Sequence, residues 1–189
     1  MDTITKIIIA ITGASGAIYG IRLLEELKNA VGIETHLIIS DWAYETIKLE
    51  TDYSIEDVVA LADVFYSNSN QSAKISSGSF LNAGMVIIPC SMKTLAAISH
   101  GYADSLITRA ADVCLKEHRK MIIIPRETPF STIHLENMLT LSKLGAVIIP
   151  PIPAYYHRPH SLSEIINQTV GKTLDHLGVN HHLLPRWQD

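Results

Sequence analysis

The chain has 189 residues, of which 47% are hydrophobic, and it carries a formal charge of −4 with a pI of about 6.1. That length suits one domain, expected over residues 1–189, with a sizeable core. The mild acidity argues against a general nucleic-acid surface and against a membrane-binding surface.

Targeting and metal signals are weak in this sequence. No apolar run approaches the roughly 18 residues of a membrane span, and no secretory pattern opens the chain. Cys90 and Cys114 match no zinc or redox spacing, and no histidine lies in an HExxH pattern. We therefore expect a cytoplasmic protein without a metal. The mean hydropathy of +0.19 predicts apolar contacts between subunits, or else a core with buried parallel strands.

The first predicted elements alternate between strand and helix. An apolar run predicts a buried strand over 6–12, and a helix over 17–29 follows with Leu23, Leu24 and Leu27 on its apolar face. A second strand is predicted over 34–40.

A helix over 42–50 comes next, with Asp41 as its expected N-cap. Ser54 and Asp57 have the spacing of a capping box and open a short helix to about residue 63. The Ser- and Asn-rich segment 64–84 predicts a long loop with at most a short strand, and loops of that length in compact domains are more often functional than idle.

The second half of the chain continues the alternation. The predicted elements are strands over 85–89, 121–125 and 146–150, and helices over 94–100, 104–117, 134–144 and 161–177. Strands that alternate with helices predict an α/β fold, a three-layer, doubly wound parallel sheet of the Rossmann-like type. Ligands of such sheets bind where the strands end. The predicted strand ends are residues 13–15, 40, 89–94, 126–127 and the segment after 150.

The first strand end is rich in glycine. Gly13, Gly16 and Gly20 are spaced GxxGxxxG, which differs from the dinucleotide pattern GxGxxG. Such a turn binds an anion at a helix start, or it is only a tight connection that needs glycine for its backbone geometry. The second strand ends in Ser40 where a dinucleotide site needs a carboxylate for the ribose.

The third strand end adds two hydroxyls and a lysine, in Ser91, Lys93 and Thr94. These groups favour a mononucleotide over NAD, although plain helix capping also explains Ser91 and Thr94.

Cationic residues form the other candidate group. Arg109 and Lys116 are seven residues apart on one predicted helix and share a face, with Asp112 between them. A surface ladder of ion pairs explains that spacing equally well. Arg126 and Glu127 follow a strand directly, where ligands bind. From the sequence pattern alone, Tyr156 is equally well explained as a core tyrosine, and Lys172 is explained as a solvated lysine.

Several motifs together carry a resemblance to a known family. They are TGASGAIYGIRLL, IETHLIIS, LETDYS, SSGSF, GMVIIPCSMKTLAAI, RAADVCLKEHRK, PRETPFSTIHLENML, YYHRPHS and LPRWQ. In order and spacing the chain resembles, from end to end, the UbiX-like flavin prenyltransferases, whose members are also labelled subunits of aromatic-acid decarboxylases.

The resemblance implies an activity. Family members transfer a dimethylallyl group from dimethylallyl monophosphate to N5 and C6 of reduced FMN, without a metal, and pass prenylated FMN to a UbiD-type decarboxylase. It also implies a cytoplasmic homododecamer with sites shared between subunits and a docked carboxyl-terminal tail with Trp187. The pathway served, ubiquinone biosynthesis or phenolic-acid decarboxylation, stays open.

The resemblance also implies site residues, with one departure at Lys172. The FMN positions are Gly13, Ala14, Ser15, Ser40, Ser91, Met92, Lys93, Thr94 and Arg126. The prenyl-phosphate positions are Lys116, Arg126, Glu127, Tyr156 and Lys172. The catalytic positions are Ser15, Glu50, Arg109, Lys116 and Glu127. Some members carry arginine at the position of Lys172, so the grip on the phosphate is expected to be looser here.

Two other functions compete with this one. An FMN-dependent cysteine decarboxylase has a similar fold, but its Asn-rich PASANT-like segment corresponds here to PCSMKT. A non-catalytic FMN-carrying subunit would have no use for the cationic residues of the prenyl-phosphate site.

Overall fold

The computed structural model describes residues 4–183, which form a parallel sheet with helices on both faces. The strands are β1 (Thr5–Ile11), β2 (Ile33–Ile39), β3 (Val64–Ser67), β4 (Gly84–Cys90), β5 (Lys120–Pro125) and β6 (Val147–Ile148). The helices are α1 (Ala17–Lys28), α2 (Asp41–Glu50), α3 (Ile55–Ala60), α4 (Met92–Ser99), α5 (Leu106–Lys116), α6 (Thr132–Lys143) and α7 (Leu162–Leu177), with a 3₁₀ turn at Lys74–Ser76. Among residues 4–183, no helix combines the length and the apolarity that crossing a bilayer requires.

The strand order is β3-β2-β1-β4-β5-β6, and all the paired strands are parallel. The order reverses between β1 and β4, so the crevice between the ends of these two strands is the topological switch point. We call the side where the strands end the carboxyl end of the sheet, and the side where they begin the amino end. The predicted doubly wound α/β fold is confirmed.

The core explains why the central strands read as continuous apolar runs. Alternate residues of a strand face opposite sides of the sheet. In β1, Ile7, Ile9 and Ile11 join the core cluster on one face, and Ile8 and Ala10 join the cluster on the other. Because both faces are covered by helices, every position of such a strand favours an apolar side chain.

Hydroxyl residues set the starts of the helices, and this corrects one prediction. Ser40, not Asp41, is the N-cap of α2: its backbone is extended and its Oγ accepts from the Ala43 amide, whereas Asp41 is already helical. The capping box of Ser54 and Asp57 is confirmed.

Several boundaries differ from the predicted ones. The helix predicted over 94–100 begins at Met92, behind the cap Ser91, and the helix predicted over 134–144 begins at Thr132, behind Ser131. The segment 64–84 contains the short paired strand β3, and the strand predicted over 146–150 shrinks to the two residues of β6. Residues 161–177 are helical from Leu162 onward, with Ser161 as the cap.

Candidate functional site

A cavity of about 560 Å³ opens at the carboxyl end of the sheet, beside the switch point. Five predicted ligand-binding residues line it, namely Gly13, Ser40, Ser91, Lys93 and Thr94. Ala14, Ser15 and Met92 lie in the same turns, outside that lining. The fold therefore brings together, at one cavity, predicted residues from three separate segments of the chain.

Two helices begin at this cavity. Ser40 caps α2 and Ser91 caps α4, where the Ser91 Oγ accepts from the Thr94 amide at 3.3 Å. The first amides of a helix lack partners within the helix and carry the positive end of its dipole. The cavity therefore presents amides, hydroxyls and the Lys93 ammonium, a set of donors that suits a phosphate.

The glycines of the first turn are required by close packing. A Cβ on Gly13 would lie 2.3 Å from the Trp42 Cβ, and a Cβ on Gly20 would lie 2.5 Å from the Ile88 carbonyl oxygen. Gly16 has a φ of 99°, which favours glycine. The tight-connection interpretation of this turn thus accounts for all three glycines.

The start of α1 is occupied by a carboxylate of the same chain. Glu50, at the end of α2, accepts a hydrogen bond from the Gly16 amide at 2.7 Å. This is the position at which the pyrophosphate of a dinucleotide binds in related folds. An anionic ligand is therefore directed to the starts of α2 and α4 instead of α1.

Thr12 links β1 to β4 beneath the cavity. Its hydroxyl donates to the Pro89 carbonyl at 2.7 Å and accepts from the Ser91 amide at 2.8 Å. The side chain is buried, with 1% of its surface exposed.

Arg126 and Glu127 follow β5 and line a neighbouring cavity of about 320 Å³ with the proline-rich segment 150–153. The Arg126 amide donates to the Cys90 carbonyl at 3.1 Å, which ties this turn to the end of β4. Burial raises the pKa of the Tyr19 phenol, and the nearby charge of Arg126 opposes that rise. Arg126 therefore lies close to the α1 side of the switch point, as the strand-end argument predicts.

The cationic residues of α5, Arg109 and Lys116, line neither of these two cavities. Arg109 donates to Asp112 at 2.7 Å and to the Ser76 carbonyl at 3.2 Å, so the Arg109–Asp112 step of the predicted ion-pair ladder is present. Lys116 ends α5, pairs with Glu117 and lies beside Gly78.

Lys116 is far from Arg126 within one chain. It lies four residues before β5 begins, whereas Arg126 follows the end of β5, and six strand residues span about 20 Å. Lys116 and Arg126 of one subunit are therefore too far apart to contact the same phosphate.

Lys172 and Tyr156 are also separated. Lys172 lies one turn before His176, whose carbonyl accepts from Lys120 at the amino end of the sheet. Tyr156 is in the segment between β6 and α7 at the carboxyl end, with its ring edge-on to His157 and 56% of its surface exposed. One subunit thus holds these two phosphate-binding candidates at opposite ends.

The two cysteines are buried and free. Burial raises the pKa of the Cys114 thiol to about 11, and it also raises the pKa of Cys90. Both side chains are therefore neutral thiols near pH 7 and serve as core residues.

The sequence arguments missed a second wall of the main cavity. Its residues are Asp41, Trp42, Asn68, Ser69, Ala97, Asp104, Ser105, Ile107 and Thr108. Asn68 accepts from the first amides of α5, through its carbonyl at 2.8 Å and its side chain at 3.1 Å. The Ser105 and Thr108 capping box was a usable signal, because it marks another helix start at this end of the sheet.

Comparison with known proteins identifies the class that this fold and cavity define. Residues 1–173 match the flavoprotein family. The chain is 53% identical over 183 residues to the probable UbiX-like flavin prenyltransferase of Escherichia coli O157:H7, an alignment that covers 97% of this chain and 93% of that protein.

Two solved structures narrow the class further. A dodecameric FMN-dependent UbiX-like decarboxylase from Escherichia coli O157:H7 superposes with a TM-score of 0.96 at 52% identity, over 98% of this chain and 100% of that one. AnUbiX (PadA1), solved with FMN and dimethylallyl pyrophosphate, gives a TM-score of 0.95 at 48% identity over 98% of each chain. The protein therefore belongs to the family of UbiX-like flavin prenyltransferases.

Proposed function

We propose that this protein transfers a dimethylallyl group from dimethylallyl monophosphate to N5 and C6 of reduced FMN. The observation that carries the proposal is the cavity of about 560 Å³ at the switch point, in a chain 48% identical to a protein solved with FMN and dimethylallyl pyrophosphate. That volume lies within the usual range for a small-molecule site.

The cavity fits a flavin mononucleotide better than a dinucleotide. The starts of α2 and α4 supply two capped helix termini with Ser40, Ser91 and Thr94, which is enough for one phosphate. The Gly16 amide is already bonded to Glu50, so a second phosphate lacks its customary partner. We assign Gly13, Ala14 and Met92 to the same FMN site through their backbone.

The prenyl transfer requires charge stabilisation at the leaving phosphate. As the allylic C–O bond breaks, its electron pair stays on the phosphate oxygen, and a positioned cation stabilises the developing charge. Reduced FMN, when bound, supplies the electron-rich N5 and C6 that form the two new bonds to carbon. Arg126 and Glu127 are at the strand end where this phosphate is expected, and we assign them to it.

Proton transfer is the other requirement. N5 and C6 each lose a proton as their bonds to carbon form, and the alkene carbon gains one. We assign Ser15 to orienting the proton at N5. Glu50 is one of two candidates for taking the C6 proton, and the released phosphate is the other.

We further propose that neighbouring subunits complete each site. Lys116 and Lys172 are remote from Arg126 in one chain, and an assembly like the dodecameric relative would let them, with Arg109 and Tyr156, reach a neighbour's strand ends. Exposed apolar side chains support such contacts, since Trp42 is 73% and Leu49 is 82% exposed on α2. The carboxyl-terminal tail with Trp187, expected to dock on a neighbour, lies outside the described residues.

The proposed setting is the cytoplasm, where a UbiD-type decarboxylase would take up prenylated FMN as its cofactor. Whether that decarboxylase acts on ubiquinone precursors or on phenolic acids is decided by the partner and not by this site.

Anaerobic incubation with reduced FMN and dimethylallyl phosphate tests the function. Mass spectrometry of the released flavin should show the addition of one C5 unit, together with one equivalent of inorganic phosphate. Tightly bound but unmodified FMN would indicate a carrier subunit instead. Decarboxylation of a cysteinyl peptide, without any C5 addition, would identify a cysteine decarboxylase.

A further inference from the structure

We infer that Thr12 is a positioning residue for the flavin phosphate, because it fixes where α4 begins. The inference rests on the proposed FMN site and assigns a role to a residue that does not itself line the cavity. One hydroxyl makes two bonds, to the Pro89 carbonyl at 2.7 Å and from the Ser91 amide at 2.8 Å.

The regular pairing of β1 with β4 stops before this place. The pairing of β1 with β4 runs only from Ile7 with Gly84 to Ala10 with Ile87. The pairing of β4 with β5 shifts register between Ile87 and Cys90. The end of β4 is held on its β5 side, where Cys90 pairs with Pro125. On its β1 side it lies beyond the regular ladder, and Pro89 has no amide to donate.

Thr12 supplies the connection on the β1 side. Its amide also donates to the Pro89 carbonyl, at 3.2 Å. The next bonded residue, Ser91, is the N-cap that presents the start of α4 to the cavity. Because Thr12 immediately precedes Gly13, one residue sets the spacing between Gly13 and the α4 terminus, both of which line the cavity.

A matched residue separates positioning from simple stabilisation. Thr35 in β2 is also 1% exposed, and its hydroxyl also makes two bonds, donating to Asp63 Oδ2 at 2.9 Å and accepting from the Asp63 amide at 3.0 Å. Asp63 borders the cavity at the amino end of the sheet. Thr35→Val therefore also removes one donated and one accepted hydrogen bond, at the end remote from the flavin site.

The experiment compares FMN affinity in Thr12→Val, Thr12→Ser and Thr35→Val, with Thr12→Ala in place of Thr12→Val if the latter does not fold. We expect Thr12→Val to raise the Kd of FMN about tenfold, as the loss of one or two hydrogen bonds implies, and to raise the KM for reduced FMN far more than it lowers kcat. Thr12→Ser should restore the affinity. Thr35→Val should lower the unfolding midpoint by a similar amount and keep the Kd within twofold.

The outcomes are distinguishable. If the wild-type protein does not bind FMN, the proposed function fails. If the wild-type protein binds FMN and Thr12→Val binds it equally well, the positioning role is wrong. Equal losses of affinity in Thr12→Val and Thr35→Val would also overturn it, because general loosening would then be the cause.

Discussion

The two ends of the sheet contain similar polar residues that are used in opposite ways. At the carboxyl end, hydroxyls and helix starts surround a cavity of about 560 Å³. At the amino end, a cavity of about 520 Å³ is bordered by polar groups that bond to one another. Asp63 is held by the amide and the hydroxyl of Thr35 at 2.7 and 2.9 Å.

A buried histidine is the centre of the amino-end cluster. The His36 Nδ1 lies 3.1 Å from the Tyr66 hydroxyl, its Nε2 lies 2.7 Å from Glu34 Oε1, and its ring is edge-on to Phe80. The other face of this cluster is cationic, because the ammonium groups of Lys6 and Lys74 lie 5.1 and 5.4 Å from the Phe80 ring centre.

This difference between the two ends assigns ligand binding to the carboxyl end and a contribution to fold stability to the amino end. Groups that already satisfy each other stabilise the fold and have little left for a ligand. Groups arranged around open volume keep donors available for a ligand. Substitutions at the carboxyl end should therefore change flavin chemistry, and matched substitutions elsewhere should change only folding.

The largest effect is expected for Arg126→Ala. Loss of a cation directed at a developing oxyanion lowers kcat by about 10²- to 10³-fold, and the exposed position should leave the fold intact. Turnover is measured as C5-modified flavin per minute. The control is Arg22→Ala on α1, which loses its ion pairs with Glu25 and Glu26 and should retain normal turnover. Normal turnover in Arg126→Ala would refute the phosphate assignment.

Gly13→Ala should have the next largest effect. The added methyl group would meet the Trp42 Cβ at 2.3 Å, and overpacking of this kind costs about 1–3 kcal/mol in unfolding free energy. FMN affinity should fall with it, because α2 has to move. Adding Trp42→Ala should not rescue the protein, since the contact is with the Cβ and the main chain. Rescue by that second substitution would show that the indole is the obstacle.

Acidification should have a smaller effect, a loss of stability that arises from His36 in the amino-end cluster. Burial lowers the pKa of His36, Lys74 and Lys6 lower it further, and Glu34 opposes them. The unfolded chain then binds more protons below pH 6.5, so the unfolding free energy falls as the pH drops through that value, by at most about 1.4 kcal/mol per pH unit.

A titration of stability checks this expectation. Denaturant unfolding between pH 7.5 and 5.5 should show a shallower loss in His36→Gln than in the wild-type protein. Identical pH profiles for the two proteins would mean that His36 does not carry the effect.

The smallest expected effect comes from paired cap substitutions. Ser40→Ala and Ser54→Ala each remove an N-cap, which costs about 1 kcal/mol. Only Ser40 lines the flavin cavity, so only Ser40→Ala should also weaken FMN binding, by fluorescence titration. Equal FMN affinities in the two variants would show that the Ser40 hydroxyl does not contribute to FMN binding.

Much of the fold was predictable from the sequence because its signals are local. The buried runs of β1 and β4 and the Ser54 capping box depend on neighbouring residues only. The choice between Ser40 and Asp41 as the cap was not predictable, because both are good caps and the backbone conformation decides. The length of β6 depends on pairing with β5, which lies outside any local pattern.

The site was predictable where it follows strand ends and unpredictable where it depends on loops or distances. Gly13, Ser40 and Ser91 follow from topology alone. Asn68 reaches the cavity through the irregular path after β3, which carries no periodic signal. The spacing of Lys116 and Arg126 did not reveal their separation within one subunit, which arises because a crossover helix carries its two termini to opposite ends of the sheet.

The bond from the Gly16 amide to Glu50 bears on how this fold selects its nucleotide. The Glu50 carboxylate already accepts from the amide to which a bridging diphosphate would bind, so we expect its negative charge to disfavour dinucleotides. Discrimination between mononucleotides and dinucleotides would then depend on one side chain at the end of α2, which is remote in sequence from the glycine motif.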